Sequence, residues 1–199
     1  MTNAVPELNP STTVLLLMDF QYAMVGAIGE EAATPVIANA VAVLEWARAN
    51  GIRVAHIRLG FEATEAAEIP DTNKNFAPVR SAGMLLNGSP EVEIFDLLKP
   101  ADDEQVFRKT RIGAFSTTSL GPWLGEHNID TLVLAGITTS GVMLSTVREA
   151  SDRDLRAVVL RDATADFDPV VHEVLVERVF PATGDVVFTA ELTTQKLAG

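Results

Sequence analysis

The segments "TVLLLMD" (13–19), "DTLVLAG" (130–136) and "LRAVVLRDA" (155–163) each hold at least four consecutive apolar residues, where a half-exposed strand would alternate apolar with polar. A strand of that length with apolar side chains on both sides has to be covered on both faces, which is the condition of a parallel sheet between two helix layers. "IRVAHIRLG" (52–60), "DEQVFRKTR" (103–111) and "GDVVFTA" (184–190) supply three further strands. Between them, "TPVIANAVAVLEWARANG" (34–51) repeats apolar residues at helical spacing and stops at Asn50-Gly51, a helix-ending signal. "STTSLGPWLGEHN" (116–128), Ser140 to Asp152 and "DPVVHEVLVERVFP" (168–181) read as three more helices. The alternation calls for right-handed crossovers and an α/β fold. With 199 residues and 47% hydrophobic content there is material for one sizeable core, so a single domain over 1–199 is expected. Residues 61–90, rich in Pro, Asn and Gly, show no clear period and read as an excursion over the mouth of a site, with disorder as the competing reading.

Charge and composition narrow the partners. Fifteen Lys and Arg stand against 27 Asp and Glu, a net of −12 without a basic cluster, which disfavours nucleic acid and anionic membrane. The absence of cysteine excludes disulfides, thiolate metal sites and a cysteine nucleophile. His56, His127 and His172 are scattered over a strand, a helix end and a helix, so no metal is expected, and His127 and His172 read as structural. The polar, proline-punctuated "MTNAVPELNPSTT" does not look like an export signal, and no apolar run approaches the roughly 18 residues of a membrane span, so a cytoplasmic location is expected.

In a parallel α/β sheet ligands sit beyond the carboxyl ends of the strands. Asp19 closes the first strand behind five apolar residues, a setting that desolvates a carboxyl and suits a general acid or base; a turn or capping carboxylate is the alternative. Lys109 closes the third strand and could hold a carboxylate substrate, stabilise an oxyanion or pair with Asp19; a solvated lysine is the alternative. The turn "GITTSGV" (136–142) leads into a helix whose first amides can cradle an anion, or are simply capped by its Ser and Thr. Gln21, Arg58 and Arg80 are candidates for holding carboxylate or hydroxyl groups of a substrate, and each arginine could equally be a surface charge.

The Asp of "LLLMDFQ", the Lys of "VFRKTRIGAFSTTSL" and the stretch "LVLAGITTSGVMLSTVREASDRDLRAVVLRDATAD" resemble the isochorismatase-like, or cysteine hydrolase, superfamily almost from end to end. The resemblance implies a Rossmann-like three-layer αβα sandwich with a six-stranded, mostly parallel sheet. It implies a catalytic set of Asp19, Lys109 and a cysteine where this chain has Val142. It also implies a non-proline cis peptide at Ile137–Thr138, with Ile137, Thr138 and Gly141 presenting backbone to the substrate. No cofactor is implied, and a homodimer or homotetramer is. Valine offers no lone pair, so thiolate attack on an amide is closed to this chain. Ser140 and Ser145 lie too far from position 142 along the turn and helix to replace the sulfur.

Isochorismatases within that superfamily cleave a vinyl ether without a thiol, the Asp acting as general acid. The resemblance therefore leads to the expectation of a thiol-independent hydrolase of a small anionic metabolite. A catalytically silent homologue that binds a small acid or serves as a scaffold is the alternative.

Overall fold

The computed structural model describes residues 5–195 and Leu197. Six strands, β1 (Thr13–Met18), β2 (Arg53–Leu59), β3 (Gln105–Lys109), β4 (Thr131–Ile137), β5 (Arg156–Ala165) and β6 (Asp185–Val187), form one sheet in the order β3-β2-β1-β4-β5-β6. All five pairings are parallel. The uninterrupted apolar runs are explained by the two layers they face. In β1, Leu15 and Leu17 enter the core under the long helix, while Val14, Leu16 and Met18 enter the core on the other face.

The helices follow in chain order: α1 (Tyr22–Ala27), α2 (Glu30–Ala49), α3 (Ala63–Ala67), α4 (Ala77–Ser81), α5 (Leu120–Glu126), α6 (Leu144–Asp152), α7 (Pro169–Val174) and α8 (Thr189–Thr193). Helix α2 begins at Glu30, earlier than its periodicity indicates, and carries Pro35 inside it. The last strand is shorter than the expected 184–190. The Phe188 amide donates to the Glu191 carboxylate at 2.8 Å, and Asp162 accepts from the Thr189 amide (2.8 Å) and hydroxyl (2.7 Å), which turns the chain into α8.

Residues 61–90 are ordered around an apolar cluster of their own. Phe61, Ala66, Ile69, Phe76 and Leu85 pack together with Leu59 and Val92, so the disordered reading of this excursion is set aside. Its anchor is Gln21. The Gln21 amide nitrogen donates to the Leu59 and Val92 carbonyls, each at 2.7 Å, and its oxygen accepts from the Leu59 amide at 2.7 Å.

The strand order reverses between β1 and β4, and a crevice opens beyond the carboxyl ends at such a switch point. Here the two strands also come unusually close. A Cβ at Gly136 would lie 2.6 Å from the Met18 carbonyl oxygen, so only glycine fits opposite Met18.

Candidate active site

Asp19 is the first residue past β1 and turns with φ 57°, a left-handed backbone that aspartate tolerates better than most side chains. Its carboxylate meets Lys109, which reaches across from β3 over the intervening β2. The Lys109 ammonium lies 2.7 Å from Asp19 Oδ2, with both side chains almost completely buried. The other two ammonium protons go to the carbonyls of Ile112 (2.8 Å) and Arg111 (3.2 Å). An ammonium has three donors, so Lys109 is saturated by the protein. Of the roles open to it from sequence, the structure shows the pairing with Asp19.

Asp19 itself is not saturated. Its Oδ1 is buried and has no hydrogen-bond partner. Burial pushes the Asp19 carboxyl above its usual value, and the charge and hydrogen bond of Lys109 oppose that rise without cancelling it. The result is a carboxyl inclined to hold a proton, with one buried oxygen left without a partner.

At the other side of the switch point, β4 ends in the cis peptide Ile137–Thr138, as the resemblance implied. Residues Thr139–Met143 form a wide turn with non-helical backbone at Gly141, and α6 follows. A Cβ at Gly141 would stand 2.7 Å from Thr138 Oγ1, which explains glycine there. The amides of this turn are partly spoken for. The Ser140 amide donates to Asp166 at 2.6 Å, and the Gly141 amide to the Thr138 carbonyl at 3.2 Å. An aspartate of the protein therefore occupies part of the expected anion cradle. Val142 is 2% exposed and packs in the apolar cluster that contains Met18, Ala114 and Phe115.

The loop after β3 links these parts. It supplies both carbonyls that hold Lys109, and the Ala114 amide donates to Thr146 of α6 at 3.3 Å. Beside it lies a cavity of about 360 Å³, lined among others by Asn73 and Phe76 from the excursion, Arg111 and Ile112 from the loop, and Ser145 from α6. The excursion thus borders the cavity.

The remaining sequence candidates have other tasks. Gln21 serves the backbone clamp described above, with both its donors and its oxygen engaged. Arg58 donates to Asn87 Oδ1 at 3.0 Å, and Asn87 in turn to Glu62 at 2.7 Å. Arg80 is held by the Ile69 carbonyl and the Asp71 carboxylate. Both arginines brace the excursion, and neither lines the cavity, nor do Asp19, Lys109 and Val142.

Two residues beside the turn escaped the sequence reading. Asp166 is the strand-end residue of β5, hidden because that strand runs to Ala165 and not to 163. His172, read as structural, has Nδ1 2.8 Å from the buried Thr139 hydroxyl, and burial lowers its pKa.

Among the described residues no group of His, Asp and Glu could hold a metal ion, and no helix is long and apolar enough to cross a membrane.

The isochorismatase domain model matches residues 13–191. The chain is 32% identical to the ureidoacrylate amidohydrolase RutB of Methylobacterium radiotolerans, over 81% of this chain and 70% of that protein. It is 29% identical to the phenazine biosynthesis protein PhzD1 of Pseudomonas aeruginosa, over 93% and 86%. A cysteine hydrolase from Pseudomonas syringae pv. phaseolicola has the same fold, with a TM-score of 0.86 at 22% identity over 96% of this chain and 94% of that one.

Proposed function

Because the chain belongs to the isochorismatase family, we propose that it is a hydrolase of a small anionic metabolite that works without a cysteine nucleophile, with Asp19 as its general acid. The observation that carries this reading is the unpaired, buried Oδ1 of Asp19 beside an ammonium that has no donor to spare. A carboxyl whose pKa is raised by burial can keep a proton where an ordinary aspartate has lost it.

Vinyl-ether hydrolysis suits such a group. Asp19 Oδ1 transfers its proton to the terminal enol carbon, and the resulting oxocarbenium ion takes up water. The hemiketal then collapses to a ketone and an alcohol, and the proton lost from the added water restores the acid. Lys109 holds the carboxyl in place and stabilises the carboxylate left after transfer. No covalent intermediate is needed, which agrees with Val142 at the thiol's position. The relatives include both the ureidoacrylate amidohydrolase RutB, at 32% identity, and a probable isochorismatase of Pseudomonas chlororaphis, at 27%, so it is Val142 and not the likeness that favours this chemistry over amide hydrolysis.

The test is turnover of a vinyl ether such as isochorismate by the wild type and by Asp19→Asn. Loss of turnover in the variant supports the reading, and unchanged turnover removes Asp19 from the mechanism.

A second reading, a silent homologue that binds a small acid or serves as a scaffold, draws on the apolar packing of Val142 and on the Asp166 carboxylate seated at the Ser140 amide. Binding of small acids by the wild type with no turnover of amides, esters or enol ethers would favour it. We propose too that residues 1–199 form a single hydrolase domain and that the protein is a homodimer or homotetramer, which light scattering checks.

A further inference from the structure

The cavity beside the Lys109 loop combines one cation with aromatic walls. The Arg111 guanidinium stands over the Phe76 ring at 5.8 Å from its centroid, and both residues line the cavity together with Phe115. One Arg111 nitrogen donates to the neighbouring Thr110 carbonyl, and among the described residues no carboxylate lies within ion-pair distance of this arginine. That is notable in a chain with 27 acidic residues. The acid that also lines the cavity, Glu149, is engaged by Arg153 at 2.6 Å. Ser145 adds a hydroxyl from α6, and Asn73 an amide whose oxygen already accepts from the Asn75 and Phe76 backbone.

A guanidinium with free donors recognises a carboxylate in two-pronged fashion, and two largely buried rings, Phe76 beneath Arg111 and Phe115 beneath Arg153, give the cavity an apolar lining. The volume lies toward the small end of ligand pockets and suits a small occupant. We infer that this cavity is a subsite for a small, flat monocarboxylate, with Arg111 binding the carboxylate and Phe76 and Phe115 flanking the ring.

The inference deepens the hydrolase reading, since Arg111 also supplies a carbonyl to Lys109 and so ties the subsite to the Asp19 pair. A side-chain change at Arg111 leaves that carbonyl in place. The subsite can therefore be tested apart from catalysis.

The experiment is calorimetric titration with sodium benzoate as the probe and benzamide as its neutral counterpart, on the full chain at low ionic strength. Benzoate binding to the wild type, weakened about tenfold or more in Arg111→Gln and by less in Arg111→Lys, is expected from the loss of a charge-assisted pair. Benzamide should bind more weakly than benzoate and be indifferent to the substitution. Circular dichroism verifies that both variants fold. Equal benzoate affinity in the wild type and Arg111→Gln, or no benzoate binding by the wild type, overturns the subsite. Arg111-dependent binding in a protein that turns over no vinyl ether upholds the subsite and removes the hydrolase reading. Turnover with benzoate inhibition unaffected by Arg111→Gln does the reverse.

Discussion

Two carboxylates in this molecule, the buried Asp19 and the half-buried Glu104, sit beside cations and are driven in opposite directions. Glu104, just ahead of β3, accepts from Arg48 Nε (2.7 Å) and Nη2 (2.8 Å), from the Ala101 amide (2.9 Å) and from His56 Nε2 (3.0 Å). Burial pushes it up, yet Arg48, the Ala101 amide and His56 together outweigh that and hold it down at about 2. Asp19 has one cation, one oxygen without a partner and deeper burial, and its pKa rises. The cation next to a carboxylate does not settle its state; the count of donors set against the desolvation does. The saturated carboxylate is a piece of framework, and the unsaturated one is equipped to move a proton.

The largest effect that would sharpen this contrast is on turnover. Asp19→Asn should lower kcat for a vinyl ether by about 10²–10⁴-fold, the range of a lost general acid. Glu104→Gln should leave kcat within a few-fold, and steady-state kinetics on the pair of variants checks both.

Stability should respond the other way. Glu104→Gln loses charge-assisted hydrogen bonds of a largely buried group, and urea denaturation at pH 7 should find it less stable by about 1–3 kcal/mol. The stabilisation from Glu104 is fully present above its ordinary 4.5 and is lost as pH falls toward about 2. His56, lowered chiefly by burial, adds stability above its ordinary 6.5 that is lost as pH falls through its depressed value. For Asp19 the sign reverses: a raised pKa gives stability below its ordinary 3.8 that is lost as pH rises through the raised value. Asp19→Asn leaves the buried Lys109 ammonium without its counter-charge and should be less stable than the wild type, but that gap should narrow as pH rises, whereas the gap for Glu104→Gln should widen as pH rises from about 2 past 4.5. The same pH trend in both would break the comparison.

A smaller effect concerns the pH profile. A general acid works protonated, so kcat/KM should decline as pH rises through the Asp19 pKa. Lys109→Met removes the charge that holds this pKa back, and should move the alkaline limb of the kcat/KM profile upward. A downward displacement would contradict the assignment.

The smallest change is expected at position 142. Val142→Cys is close to isosteric in its apolar cluster and should alter stability by less than about 1.5 kcal/mol in urea unfolding.

The comparison also marks what could be read from the chain alone. The strands were legible because a sheet covered on both faces leaves continuous apolar runs, and strand ends then pointed to Asp19 and Lys109. The task of Gln21 was not, because its partners Leu59 and Val92 are 38 and 71 residues away and leave no local pattern. The bracing contacts of Arg58 and Arg80 were hidden for the same reason, since the excursion they brace is organised by its own apolar cluster and not by a period. Asp166 was within reach of the strand-end rule, but the strand was ended at Ala163, because Thr164 and Ala165, which pair with β4 beyond a register shift, extend no apolar run. The saturation of Lys109 depends on carbonyls, which a sequence does not display.

The most direct test of the account is titration of the Asp19 carboxyl by carbon-13 NMR of aspartate-labelled protein, assigned by the signal missing in Asp19→Asn. The account predicts a midpoint above 3.8, the ordinary value for aspartate. A midpoint at or below 3.8, in the manner of Glu104, would contradict it.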